Sequence, residues 1–216
     1  MPPNLETLID LLHASGEAAL ATHSQTMPGY PFATAVPFAT DEHHRPIFLL
    51  SRLAEHTQNL LADNRSSFLV ARSLGQGEMA RHTLVGHVLP IGRPPLLVRR
   101  YLRFHCEAER FLQLADFSFY RFDPVRIRVV AGFAQAGWLE GDKLLEAPCF
   151  SLDVEERLLG DAAASLTAGL KLLGVDPFGV DYLAAGQRRR APFVAGPALA
   201  EEAGKALSRA LDFIEG

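Results

Sequence analysis

The stretch Ser51-Arg52-Leu53-Ala54-Glu55-His56-Thr57-Gln58-Asn59-Leu60 gathers hydroxyl, imidazole and amide side chains where an apolar run gives way to a helical pattern. The first N–H groups of a helix lack intrahelical acceptors, and the helix dipole favours negative charge beside them. Ser51, His56, Thr57 and those amides could therefore hold an anion. An ordinary capped helix would use the same residue types, so both readings stay open.

Other candidates are weaker. Residues 75–80 spell G-x-G-x-x-A, but a dinucleotide fingerprint must open a helix, and the sequence here turns into a strand pattern. Eight histidines are present without HExxH or zinc-finger spacing. His82 and His87 fall on opposite faces of a straight strand, and the His43-His44 pair in a polar turn is expected to be solvated. No G-x-S-x-G occurs. The run Arg188-Arg189-Arg190 is short and fits a solvated or salt-bridged strand. Trp138 is expected to pack in a core or between domains. No catalytic residue and no metal site is assigned.

The elements that would position these groups follow from capping and periodicity. Asn4 can cap a helix whose Leu5, Leu8, Ile9, Leu11 and Leu12 share one face and which ends near Gly16. Strands are predicted at 17–24, 30–40, 46–51, 66–72 and 80–91, with a helix over 54–64. Pro94 and Pro95 open a helical stretch reaching residue 114, and strands follow at 117–122 and 125–133. The C-terminal part reads as a helix over 154–173, a hairpin over 178–193 and an amphipathic helix over 197–213. Successive strands with few helices between them predict an α+β chain with an antiparallel barrel and not a βαβ repeat. A boundary is placed after residue 147, giving units 1–147 and 148–216.

Composition limits the function classes. The chain has 216 residues, 48% of them apolar and 21% charged, as in soluble globular proteins. Its net charge of −4 argues against an electrostatic nucleic-acid partner. Cys106 and Cys149 form no CxxC, so a reducing compartment is expected. With neither a secretory signal nor an apolar run of membrane-spanning length, the expectation is a cytoplasmic protein with no membrane partner.

Three segments carry a family resemblance. Residues 31–38 (PFATAVPF), 50–60 (LSRLAEHTQNL) and 80–86 (ARHTLVG) are similar to the pyridoxamine 5'-phosphate oxidase-related FMN-binding split barrels. The nearest branch is the heme-utilisation proteins, with L-S-x-L-A-x-H-T-x-N and R-x-T-x-x-G stretches. Residues 130–138 resemble its closing strand, and 173–181 with 190–193 resemble its small C-terminal domain. The resemblance implies a six-stranded Greek-key split β-barrel of the FMN-binding type plus a small C-terminal α+β module. It also implies a homodimer with two FMN sites between the subunits.

Carried over by position, Thr34, Ala35 and Val36 would line the ribityl chain and ring, and Leu50 and Ser51 the next strand's side. His56 stands where relatives often place a phosphate-binding lysine, and Arg81 at a polar position at the other end of that pocket. Phe133 would approach the ring from the partner subunit. The function implied is flavin-dependent oxidoreduction of an unidentified small molecule. Heme binding or degradation, or non-enzymatic flavin binding, are the alternatives. The branch's H-M-N-x-D-H motif is missing at 160–165 and no histidine follows His105, so a heme role would need another ligand such as His13 or Tyr182.

Overall fold

The computed structural model describes residues 4–75, 78–131, 136–164, 166–167 and 169–215. Helix α1 (Leu5–Ala14) is capped as its sequence predicts, with the Asn4 side-chain oxygen accepting from the Glu6 amide at 2.9 Å. Strands β1 (Glu17–His23), β2 (Pro31–Pro37), β3 (Ala39–Thr40) and β4 (Pro46–Ser51) precede helix α2 (Glu55–Ala62). Strands β5 (Arg65–Gly75) and β6 (Glu78–Pro90) then form a hairpin with Gly75 opposite Glu78. That hairpin holds the G-x-G-x-x-A run, so no helix follows it; Gln76 and Gly77 lie outside the described residues.

Helix α3 (Pro95–Phe104) stops ten residues short of the predicted end. The chain tightens there into a 3-10 segment, Cys106–Phe111. Strand β7 (Phe117–Ala131) is continuous where two strands were expected, because Pro124 is absorbed by a register shift opposite Val85 and Gly86. Strand β8 (Ala136–Glu140) and the short helix α4 (Asp142–Glu146) follow.

These strands make one antiparallel sheet in the order β2-β1-β5-β6-β7-β4-β3, with β8 added on β7. It has eight strands where six were expected, two of the extra pairings coming from the short β3 and β8. Although β2 ends this order and β4 stands next to its other end, their residues line one cavity, so the sheet curls until its ends approach. Phe38, Phe48, Phe68 and Phe122 fill the interior with Leu8 and Leu12 of α1.

Helix α5 (Leu152–Ala163) is shorter than the helix expected over 154–173. Its apparent continuation is strand β9 (Leu170–Asp176), which follows Gly169 at φ +95°. Strands β10 (Gly179–Ala184) and β11 (Gln187–Pro192) complete a three-stranded antiparallel sheet. Helix α6 (Ala203–Glu215) begins six residues later than predicted and, with α5, covers that sheet over a second apolar core. No helix among the described residues is long and apolar enough to cross a membrane.

Gly141 is fixed by close approach. A Cβ at Gly141 would stand 1.8 Å from the Pro124 carbonyl oxygen, whereas one at Gly160, on α5, would meet nothing within 4 Å. Gly141→Ala is expected to destabilise by roughly 1–3 kcal/mol through overpacking against backbone. Gly160→Ala should stabilise by up to about 1 kcal/mol, since alanine is the better helix former. Urea denaturation of the two variants checks the contrast.

Candidate functional site

Where the curled sheet's ends approach, a cavity of about 240 Å³ opens. Ala35, Val36 and Pro37 of β2 form one side, and Leu49, Leu50 and Ser51 of β4 the other. Ala54 and His56, at the start of α2, close one end. The opposing wall comes from Tyr101 and His105 at the end of α3, from Glu107, Ala108 and Phe111 of the 3-10 segment, and from Phe117 of β7. The Phe111 and Phe117 rings stack with centroids 4.8 Å apart and 14° between planes, giving this wall a flat aromatic surface.

Five of the residues expected at a binding site, Ala35, Val36, Leu50, Ser51 and His56, thus meet in one cavity. Thr34 precedes them on β2 but is not part of the lining; its hydroxyl donates to the Ala35 carbonyl at 3.5 Å. Arg81 is not brought to the cavity in one chain. It is exposed on β6 opposite Val130, twelve residues along β7 from Ser118, the partner of Leu50. Phe133 lies outside the described residues. The wall from α3 to Phe117 is new, because a contact between segments some fifty residues apart leaves no local mark in the sequence.

The start of α2 resolves the choice between a capped helix and an anion site in part. Its N-cap is Ala54, which has no side-chain oxygen to offer. The Thr57 and Gln58 amides reach the Ala54 carbonyl at 3.0 and 3.1 Å. Among the described residues the Glu55 and His56 amides have no acceptor. These two N–H groups supply partial positive charge beside the cavity.

Ser51, by contrast, is committed. Its hydroxyl donates to Asp116 Oδ2 at 2.5 Å and accepts from the Leu53 amide at 3.1 Å, fixing the turn into α2. Thr57 is fully buried, and its hydroxyl has no partner among the described residues. Partial burial lowers the His56 pKa below its ordinary 6.5, so the imidazole is mainly neutral at pH 7.

A second polar cluster sits between the large sheet and the C-terminal layer. His44 is fully buried and not solvated, because the 41–45 turn folds against Phe178 and the Pro148 carbonyl. His44 Nε2 lies 3.0 Å from that carbonyl and must donate to it. Burial, then the positive charge of His13, lowers the His44 pKa to about 4, leaving Nδ1 as an acceptor at neutral pH. His13 Nε2 donates to it at 3.0 Å, and His13 Nδ1 faces Asp181 Oδ2 at 3.0 Å and Asp176 Oδ2 at 3.2 Å. Proton placement therefore makes His13 an imidazolium and His44 a neutral base, an assignment drawn from the hydrogen-bond pattern.

Arg190 completes this cluster with bonds to Asp176, Asp181 and Asp10. The basic run is thus divided: Arg190 is buried in ion pairs, and Arg188 is held over the Phe104 ring at 4.4 Å. Arg189 alone faces solvent. Asp176 and Asp181 are held below the ordinary carboxylate range by Arg190 and His13 against a large desolvation cost. Potential ligand atoms of His13, His44 and Asp176 lie within 4.8 Å of one another. Protons and Arg190 already occupy those atoms, so the chemistry is that of an ionic joint between layers.

Trp138 is about half exposed, with the Arg126 and Arg128 guanidinium groups 4.8 and 5.7 Å from its ring, and not the core residue expected. Both cysteines are exposed thiols.

Residues 9–146 match the family described as CREG, beta-barrel. Over 134 residues the chain is 36% identical to the "Non-canonical heme oxygenase HOZ, chloroplastic" of Arabidopsis thaliana, covering 61% of this chain and 41% of that protein. The chain thus spans about two-fifths of that relative's length. A solved protein of unknown function from Agrobacterium tumefaciens str. C58 is 27% identical, with a TM-score of 0.69 over 93% of this chain and 92% of its own. A heme binding protein from Mycobacterium smegmatis shares the fold at 21% identity and a TM-score of 0.63, over 100% of this chain and 98% of that one.

Proposed function

Because the chain belongs to the CREG β-barrel family, we propose that it binds flavin mononucleotide in the cavity between β2 and β4 and acts as a flavin-dependent oxidoreductase on a small molecule. The observation that carries this is the uncapped start of α2, where the Glu55 and His56 amides have no acceptor among the described residues and His56 lines a cavity walled on two sides by Ala35, Val36, Leu49 and Leu50. That combination suits a flat conjugated ring bearing one anionic arm. FMN would supply hydride or electron transfer when bound. Ala35, Val36 and Leu50 would pack along the ring and ribityl chain, the α2 amides would take the phosphate, and the Phe111–Phe117 wall would exclude water.

The fit is incomplete within one chain, and the shortfall points to a homodimer. A cavity of about 240 Å³ falls below the 300–1,000 Å³ usual for small-molecule sites. Among the described residues no lysine or arginine lines it, while Arg81 stands exposed on β6. Arg81 of a second copy could supply the missing charge and the missing wall. Light scattering should give twice the chain mass of 23.6 kDa. A monomer that holds FMN tightly would contradict the shared site.

A second function, heme binding or breakdown as in the heme-utilisation branch, is favoured by the 36% identity to the Arabidopsis protein. His13 and Tyr182 are no longer candidate ligands, since both are buried away from the cavity. His105 Nε2 is held by the Phe38 carbonyl at 2.7 Å. His56, neutral and free of a hydrogen-bond partner among the described residues, is the cavity's iron ligand in that case. Absorption spectra with FMN or hemin added separate the two. Saturable perturbation of the flavin band, with hemin giving no ligated Soret band, is expected; a Soret band lost in His56→Ala would reverse the order.

A further inference from the structure

His105 is placed unusually for a core imidazole. It is nearly buried, lines the cavity, and donates from Nε2 to the Phe38 carbonyl at 2.7 Å. A carbonyl can only accept, so this bond fixes the Nε2–H tautomer and leaves the Nδ1 lone pair free. The ion-pair partner of Nδ1 is Glu107 Oε1, at 3.5 Å, on a side chain that is 61% exposed. That separation is too long for a good neutral hydrogen bond and short enough to stabilise an imidazolium. Glu107 also lines the cavity, so the two groups share one wall.

We infer that His105 and Glu107 form a proton-transfer pair on the cavity wall, with His105 Nδ1 as the atom that takes and returns the proton. The Phe38 carbonyl plays the part that a buried carboxylate plays in many catalytic dyads, holding one ring nitrogen protonated so that the other can act. The inference rests on the cavity being the cofactor and substrate site proposed above. It narrows the substrate to a flat, conjugated molecule with an acidic N–H or O–H, lying on the Phe111–Phe117 stack. The bond from ligand nitrogen or oxygen to hydrogen breaks, the new N–H bond forms at Nδ1, and the electron pair stays on the ligand. The imidazolium is then held between the Phe38 carbonyl and the Glu107 carboxylate until the proton returns to the ligand or leaves to water.

The charged and titratable groups around the ring come from several elements. Glu107 is on the 3-10 segment, and Tyr101, on α3, has its ring centroid 5.0 Å away. Arg188 of β11 lies on the same side of Gly16 as the ring, since a Cβ there would stand 3.2 Å from Arg188 Nη1 and 4.0 Å from His105 Cε1, and His56 of α2 shares the cavity. Among the described residues Glu107 supplies the negative charge beside Nδ1 and Arg188 a positive charge near the ring, so Glu107 is the group expected to hold a proton there.

The test uses the full chain with 15N-labelled histidine rings. Around pH 8 the His105 signals should show a protonated Nε2 and a bare Nδ1, and acidification should protonate Nδ1. Glu107→Gln should move that step to lower pH without changing the tautomer. His105→Gln, whose amide can still donate to the Phe38 carbonyl, should fold normally and lack the step. FMN added to the parent protein should shift both His105 signals. A bare Nδ1 throughout the acid range, or a step indifferent to Glu107, would overturn the pair. FMN binding that leaves His105 untouched would also overturn it while leaving the cofactor site intact. A Glu107-linked step in a protein that does not bind FMN would uphold the pair and remove FMN as the cofactor.

Discussion

Replacing Arg190 with methionine should lower the unfolding free energy by about 3–5 kcal/mol, the usual cost of breaking a buried ion pair from one side. Arg190 has only 3% of its side chain exposed and bonds Asp176, Asp181 and Asp10. Without it, two buried carboxylates share the single positive charge of His13. At roughly 2–4 °C per kcal/mol for a chain of this size, the melting temperature should fall by about 6–20 °C. Adding Asp181→Asn should recover part of the loss, because one of the stranded charges is then gone. Calorimetry of the single and double variants measures both. A loss below about 1 kcal/mol would mean that water reaches the joint and the ion pairs contribute little.

Acidification acts on the same joint through His44. Its folded pKa of about 4 lies below the ordinary 6.5, so the unfolded chain binds this proton more readily than the folded one. The stability tied to neutral His44 is complete above about pH 6.5, declines as pH falls, and is fully lost below about pH 4. A difference of about 2.5 pH units corresponds to roughly 3 kcal/mol. Protonation would turn His44 Nδ1 from acceptor to donor against His13 and set two positive charges side by side. Asp176 and Asp181, held low by Arg190 and His13, add acid sensitivity at the bottom of this range and below. Urea denaturation at a series of pH values should show the decline, and His44→Gln should flatten it between pH 6.5 and 4. A parent protein equally stable at both ends of that range would mean that His44 is solvated.

Much of the sheet was legible because its residues report local physics. Asn4 caps α1 through its own side chain, and β1 alternates inward and outward along 17–23. The same local signals misled where burial is two-sided. Residues 172–176 are buried at every position in β9, so the strand has no alternation and reads as a continuation of α5. His44 was misplaced for a related reason: a polar turn looks solvated until a distant segment, here Pro148 and Phe178, covers it.

The candidate site divides along the same line. Ala35, Val36, Leu50, Ser51 and His56 are each within a few residues of a recognisable strand or helix end, and they meet in the cavity. The Ser51 hydroxyl is nevertheless taken by Asp116, a partner sixty-five residues away that nothing near Ser51 announces. Tyr101, His105 and Glu107 enter from α3 and its 3-10 extension, which as sequence read only as an amphipathic helix.

If the cavity holds FMN with its phosphate on the start of α2, riboflavin, which lacks only the phosphate, must bind less well. Each charge-assisted hydrogen bond to the phosphate should contribute roughly 1.5–3 kcal/mol, a factor of about ten to over a hundred in affinity. Fluorescence titration at neutral pH should therefore show FMN binding at least about tenfold more tightly than riboflavin. Arg81→Ala should reduce that ratio if the second copy lends its guanidinium. Equal affinity for the two flavins would remove the phosphate from α2, and no binding of either would remove FMN from the cavity.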